Sequence, residues 1–317
     1  MNQDIRQTSE YANFLKDNGW KIEKLDNKNN CFILPIWGTS FHILKLQRVN
    51  HDSNNILKKI NQLSKKYNSI STRIEMNEQE NKKPLFIKAL EKNGFVKSNW
   101  ANTPTKTVII NLKQNIRNIY VQMHSAKRHI KNAEKHEIEI KIVCGNKIDN
   151  YKNLKKAFFK LIRNHGKKHN IPDYPKKWLT SLINNFNSNS WLIFSILNNE
   201  VICCGLFLQS KDTMAYVRGA SNENGYRYDA SYQMMWEAIR LAKRLKLYRF
   251  DLEGIYDDRY EEMTTSWKGF TQFKKSFGGK ELPMTCAYEK KHKNNLSFWE
   301  KAMISNFMNK KQSGLYL

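Results

Sequence analysis

Three segments of this 317-residue chain set charged, aromatic and glycine residues at spacings that could do chemistry. The run Ser125-Ala-Lys-Arg-His-Ile-Lys-Asn-Ala-Glu-Lys-His136 precedes a strand pattern, and on a helix Lys127, Lys131 and Lys135 fall at i, i+4 and i+8. Such a stripe suits a track for phosphates and equally suits a solvated helix face. Tyr248-Arg-Phe-Asp-Leu-Glu-Gly-Ile255 reads as a strand ending in a glycine turn. Trp267-Lys-Gly-Phe-Thr-Gln-Phe-Lys-Lys-Ser-Phe-Gly-Gly279 interleaves Phe270, Phe273 and Phe277 with Lys268, Lys274 and Lys275, then closes on paired glycines. In the plainest reading its aromatics pack a core edge while its lysines face water.

Several chemistries lack their signatures. No G-x-x-x-x-G-K-[ST] is present, so nothing supports P-loop ATP hydrolysis, and no G-x-G-x-x-G follows a strand to bind a dinucleotide. Cys203 and Cys204 point to opposite faces of an apolar strand, where buried small hydrophobes are expected. The eight histidines form neither H-E-x-x-H nor a Cys-His cluster, so no metal and no cofactor is expected. A Ser-His-Asp triad has no G-x-S-x-G elbow to support it.

The whole chain is basic, with 54 Lys and Arg against 29 Asp and Glu and a formal charge of +25. Residues 1–103 hold 17 basic and 10 acidic side chains and the remainder 37 and 19, so the charge lies on folded surface throughout rather than on a tail. A polyanionic partner and a simple bias toward Lys and Asn both account for it. The longest apolar runs, Trp191–Leu197 and Val201–Leu208, fall far short of the roughly 20 residues that span a bilayer. The opening residues lack a secretory pattern, and five cysteines without framework spacing suit reduced thiols, so a cytoplasmic location is expected.

These segments need a scaffold, and the length suggests two domains. The first third predicts a helix over 9–18 closed by Gly19, then strands over 20–25, 31–36 and 41–46. A helix over 54–67, a strand over 70–74, a helix over 84–93 and a strand over 95–98 follow. After a boundary at 99–105 the same grammar returns at greater length. Strands are expected at 107–112, 137–143, 191–197, 201–208, 213–218 and 248–252, with one last strand around 282–288. Helices are expected at 125–135, 151–169, 175–186 and 230–245, with an amphipathic tail helix over 294–309. The Asn-Asn-Glu between the two apolar runs marks a hairpin. Two successive units of similar order suggest a duplicated α/β fold.

Taken together and in this order, the segments resemble the Fem family of peptidoglycan-bridge aminoacyltransferases. The family's Ser-Lys-x-x-x-x-Ile-x-x-Ala-x-x-x-Gly-(Val/Ile) pattern is matched by Ser125–Ile138, and its Tyr-x-Gly-x-Ser strand end loosely by Tyr216–Ser221. Its Tyr-Asp-Leu-Gly-Gly-Ile pattern corresponds to Phe250–Ile255, with Glu253 in place of the first glycine, and its Phe-Lys-x-x-Phe-Gly pattern to Phe273–Gly278. The resemblance implies an α/β (α+β) fold of two tandem acetyltransferase-like (GNAT) domains with mixed sheets and a cleft between them. The first domain would span 1–103, completed by a C-terminal helix in 289–317, and the second 104–288.

It also implies transfer of an amino acid from the 3′ ester of a tRNA to an amine of a peptidoglycan precursor, either lipid II or its nucleotide-linked form. The lipid-linked acceptor adds a peripheral contact with the inner membrane face. By resemblance, Lys274 with Phe273 stabilises the oxygen that develops negative charge, and Glu75, in Arg73-Ile-Glu-Met76, is the counterpart of the family's general base. Pairing of Glu75 with Arg73 or a lysine is the alternative for that residue. The positions implied for acceptor binding are Asn13, Lys16, Arg73, Tyr174, Lys176, Trp178, Tyr216 and Arg218. Those implied for tRNA are Lys127, Lys131, Lys135 and Lys275. Two other readings stay open: an acyl-CoA-dependent N-acyltransferase, whose [RQ]-x-x-G-x-[GA] loop is missing, and a non-catalytic basic RNA-binding protein.

Overall fold

The structure is a computed structural model and describes residues 3–50, 54–77, 79, 84–169, 175–293, 297, 299–301 and 303–305. Its strands are β1 (Lys21–Lys24), β2 (Asn30–Pro35), β3 (His42–Val49), β4 (Ser69–Met76), β5 (Val96–Lys97), β6 (Lys106–Asn111) and β7 (Glu139–Cys144). They continue with β8 (Ser190–Leu197), β9 (Glu200–Gln209), β10 (Thr213–Ser221), β11 (Arg249–Gly254), β12 (Lys280–Pro283) and β13 (Tyr288–Lys291). The helices are α1 (Ser9–Asp17), α2 (Asn54–Lys66), α3 (Pro84–Lys92), α4 (Ile116–Gln122), α5 (Ala126–Ala133) and α6 (Lys152–Lys168). After these come α7 (Lys176–Phe186), α8 (Glu223–Arg227), α9 (Ala230–Arg244), α10 (Glu261–Thr264) and α11 (Lys268–Lys275).

The chain divides into two compact units. The first takes Arg6–Thr105, Asp257–Met263 and Pro283–Leu317, and the second Met1–Ile5, Lys106–Tyr256 and Thr264–Leu282. Each holds one mixed sheet, in order β1-β2-β3-β4-β13-β5 and β12-β6-β11-β10-β9-β8-β7 respectively. In each, an antiparallel meander leads into one parallel pair, β3 with β4 and β10 with β11, and a helix (α2 or α9) connects the two parallel strands. Parallel neighbours need such a crossover because a tight turn cannot reverse the chain twice.

Local chemistry explains most of these elements. Thr8 caps α1 by accepting the Tyr11 N–H at 3.2 Å, and Gly19 with φ of 85° closes it. Leu197 pairs with Glu200, so Asn198 and Asn199 form the two-residue hairpin loop. Both are left-handed (φ 50° and 63°), as the twist-matched turn requires. β8 and β9 are apolar because the second sheet is covered there, with Phe194, Cys203, Cys204, Leu206 and Phe207 all buried. One face of α9 (Met234, Met235, Ala238, Ile239 and Ala242) completes that core together with Phe250 and Leu252 of β11.

Two expectations differ from the structure. In place of one last strand over 282–288 there are two in different sheets: β12 borders β6, while β13 lies between β4 and β5 in the first unit. Pro283 has no N–H with which to extend the β12 ladder. The Trp267–Gly279 segment is helical over Lys268–Lys275, with Thr271 and Lys274 on its inner face. Most of the expected tail helix lies outside the described residues; within it, 299–301 and 303–305 are helical.

The paired glycines after α11 are required by space as well as by φ. At Gly279 (φ 89°) a Cβ would lie 2.7 Å from the Ile109 carbonyl oxygen, and at Gly278 (φ 74°) 2.7 Å from that of Gln122. Gly279→Ala should therefore lower stability by about 1–3 kcal/mol in urea unfolding. Gly269→Ala meets nothing within 4 Å and should be neutral or stabilising by up to about 1 kcal/mol.

Candidate functional site

The second unit brings its chemistry together around Lys274. This side chain is only 8% exposed, and its Nζ donates to the Gly254 carbonyl oxygen at 2.7 Å. The ring centroids of Phe270 and Tyr216 lie 4.8 and 5.8 Å from the ammonium. Phe273, its neighbour in sequence, turns elsewhere, because successive helical residues diverge by about 100°. It packs on Tyr232 and Phe277 at centroid distances of 4.8 and 5.2 Å. Phe270 and Tyr216 thus supply the aromatic surface at the ammonium, and Phe273 anchors α11 to α9.

Tyr216 reaches this position through an irregularity in β10. The family spacing Tyr-x-Gly-x-Ser is one residue longer here, Tyr-Val-Arg-Gly-Ala-Ser, and the ladder with β9 shifts register between Tyr216 and Arg218. A bulge absorbs the additional residue. Gly219 then leaves room for the phenol, since a Cβ there would lie 1.9 Å from the Tyr216 Oη. Burial raises the affinity of that hydroxyl for its proton.

β11 supplies two acids. Along it Phe250 and Leu252 are buried in the core, while Asp251 and Glu253 are partly buried. Asp251 accepts hydrogen bonds from the Thr107 hydroxyl and, at 2.7 Å, from the Glu253 N–H. Burial, then the charge of Glu253, pushes the Asp251 carboxyl up to about 7 against those hydrogen bonds. Burial brings Lys274 down to about 8, with Glu253 and then Asp251 acting in the opposite direction. Both groups therefore titrate near neutrality, which is common where proton transfer or charge stabilisation takes place. Two acids at alternate positions beside a strand-ending glycine were the available sequence signal. What they face was not readable there.

In the first unit, Arg73 lies opposite Glu289 of β13 and pairs with it at 2.8 Å. Glu75, 4% exposed, forms no ion pair among the described residues. Its Oε1 accepts from the Asn102 backbone N–H and, at 2.8 Å, from the Asn102 side chain. Its Oε2 is buried with no hydrogen-bond partner among the described residues. A buried carboxylate oxygen without a donor is uncommon, because its desolvation is left uncompensated. Asn13 and Lys16 are exposed on α1 of the same unit.

The other positions lie in the second unit. Lys131 and Lys135 are exposed, and Lys127 donates to the Val121 carbonyl at 3.0 Å. The opposite face of α5, Ala126, Ile130 and Ala133, is buried, and His129 fixes it to α9 by pairing with Asp229 at 3.0 Å and stacking on Tyr232 at 4.2 Å. Lys275 pairs with Glu281. Lys176 is exposed over the Phe159 ring at 5.3 Å, Trp178 is partly buried on α7, and Arg218 is partly buried on β10. Tyr174 lies outside the described residues. Among the described residues no acid, histidine and cysteine cluster could hold a metal, and no helix is long and apolar enough to cross a membrane.

Among curated proteins none matches the chain in sequence. Solved structures show the fold. A crystal structure of FemX superposes with a TM-score of 0.75 at 12% identity, covering 90% of this chain and 92% of that one. The structure of L-PGS from Bacillus licheniformis gives 0.57 at 8% identity, covering 96% and 97%. A tandem GNAT protein from the clavulanic acid biosynthesis pathway gives 0.55 at 6% identity, covering 86% and 82%. Two tandem GNAT-like units with mixed sheets are therefore the fold of this chain. The model of the FemAB family matches residues 198–285, the stretch that carries Tyr216, Asp251, Glu253, Gly254 and Lys274. Over residues 198–285 the chain matches the FemAB family, and along most of its length it has the fold of FemX.

Proposed function

We infer that this transferase moves an amino acid from the 3′ ester of an aminoacyl-tRNA onto an amine of a peptidoglycan precursor stem peptide. The observation that carries the reading is Lys274, a buried ammonium held on the Gly254 carbonyl between two aromatic rings, inside the segment that matches the FemAB family. An aminoacyl ester is already activated, so the step needs no nucleotide hydrolysis. The acceptor amine forms the new C–N bond, the ester C–O bond breaks, and the tRNA 3′ oxygen leaves with a proton. Negative charge develops on the attacked carbonyl oxygen, and the reading gives its stabilisation to the Lys274 ammonium. It gives the proton released by the amine to Glu75 through its open Oε2.

In this reading Lys127, Lys131, Lys135 and Lys275 contact tRNA phosphates. Asn13, Lys16, Arg73, Tyr174, Lys176, Trp178, Tyr216 and Arg218 contribute to the acceptor site. Exposed lysines at helical spacing suit a phosphate backbone without reading its sequence. The acceptor is either lipid II, which would bring the chain to the inner membrane face, or its nucleotide-linked form.

Intact-mass measurement with purified protein, a panel of charged tRNAs and a lipid-linked or nucleotide-linked muropeptide should give a gain of one amino-acid residue. No gain with any charged tRNA, or a gain that depends on acyl-CoA, would remove the reading. Lys274→Met should lower kcat about 10²–10³-fold, the usual effect of deleting one oxyanion donor. Glu75→Gln should lower it by roughly 10²–10⁴-fold. Because the ammonium is the working form, wild-type kcat should fall as pH rises through about 8, where Lys274 loses its proton. The residual activity of Lys274→Met should lack that limb.

A further inference from the structure

The helix α6 carries seven Lys and Arg residues and no acid. At about 100° per residue, Lys152, Lys156, Lys160, Arg163 and Lys167 fall within an arc of about 80° and form one row about 22 Å long. All five are exposed. The other two cations of the helix are taken up by the protein: Lys155 pairs with Asp149, and Lys168 lies over the Tyr226 ring at 5.8 Å. Among the described residues, Lys152, Lys156, Lys160 and Lys167 pair with no acid. Helix stability does not account for such a row. Like charges four apart oppose a helix, and cations in its first turn oppose its dipole. The opposite side of α6 is closed to any partner, because Phe158 and Leu161 are buried and the helix packs on β9 and β10.

We propose that the outer face of α6 is an RNA-docking surface, its row of cations taking the phosphate backbone of the tRNA donor. A strand of a nucleic-acid duplex carries a phosphate about every 3.4 Å along the axis, so the row runs beside roughly six of them. Outward cations of this kind hold a backbone in place without reading its bases. The occupant is RNA rather than a bilayer, because a membrane-surface helix sinks its apolar face into the lipid. α6 has already spent that face on its own sheet. The strand beneath it, β10, is also the one that carries Tyr216 to Lys274, so the row and the Lys274 site share one support. That the RNA is the donor rests on the transfer reading given above, whereas the phosphate track stands apart from it.

The probe is an uncharged tRNA, its binding followed by fluorescence anisotropy across a KCl series. Wild type is compared with a variant of the row, Lys156→Gln with Lys160→Gln and Lys167→Gln. A control, Lys58→Gln with Lys65→Gln and Lys88→Gln, removes the same charge from exposed positions of the first unit. The α6 variant should bind roughly 10–100-fold more weakly and lose about 2–3 from the slope of log K against log salt, while the control keeps the wild-type slope. Both variants should melt with wild type, since glutamine is as good a helix former as lysine. Equal losses in the two variants would assign binding to net charge alone and overturn the proposal. An unchanged α6 variant, or a wild type that binds no tRNA, overturns it as well. So does α6-dependent capture by vesicles of phosphatidylcholine and phosphatidylglycerol in place of tRNA, which would give the row to a membrane surface. Binding of tRNA that depends on α6 in a protein without transfer activity upholds the surface and removes only the reading of the reaction. Wild-type transfer and tRNA affinity in the α6 variant would do the reverse.

Discussion

Burial of one lysine organises the second unit. An ammonium placed out of water needs an acceptor and a favourable field, and Lys274 finds both at the irregular end of β11. That requirement passes outward through the fold. α11 must present Lys274 inward, so Phe273 turns to Tyr232 and ties the helix to α9. The chain must then turn sharply, which Gly278 and Gly279 permit against the carbonyls of Gln122 and Ile109. β10 must bulge to bring the Tyr216 ring to the ammonium, and Gly219 must leave space for it.

The same burial sets the electrostatics. Desolvation lowers the proton affinity of Lys274 and raises that of Asp251, bringing a base and an acid toward the same pH range. The net charge of +25 contributes little to this local balance, because surface charges are screened within about 8–10 Å. Two carboxylates and one ammonium inside the unit set the local proton affinities.

The first unit repeats the architecture with different contents. Its parallel pair β3 and β4 is also joined by a helix, and β4 likewise carries an acid, Glu75, near its end. There the carboxylate is held by Asn102, while Arg73 is taken up by Glu289 of β13. β13 arrives from the far end of the chain, so the proper partner of Arg73 lies 216 residues away in sequence. No local reading of Arg73-Ile-Glu-Met76 could have separated the two side chains in this way.

Much of the fold was legible in the sequence, because helix and strand periodicity, capping residues and turn residues act over a few positions. The α1 helix with Thr8 before it and Gly19 after it, the Asn198–Asn199 hairpin and the apolar strands β8 and β9 all follow from such local rules. The resemblance to the Fem family was legible too, as a spacing of lysine, phenylalanine and glycine. The sequence could not show that Lys268–Lys275 is a helix with a lysine on its buried face, since a buried lysine carries the same letter as a solvated one. Nor could it show that Phe270 and Tyr216, rather than Phe273, surround the ammonium, or that Glu253 adopts a left-handed backbone beside it. Tertiary structure decided these points because proton affinity and ring contacts depend on which distant segments exclude water from a side chain, and that is settled only when the sheet and helices pack.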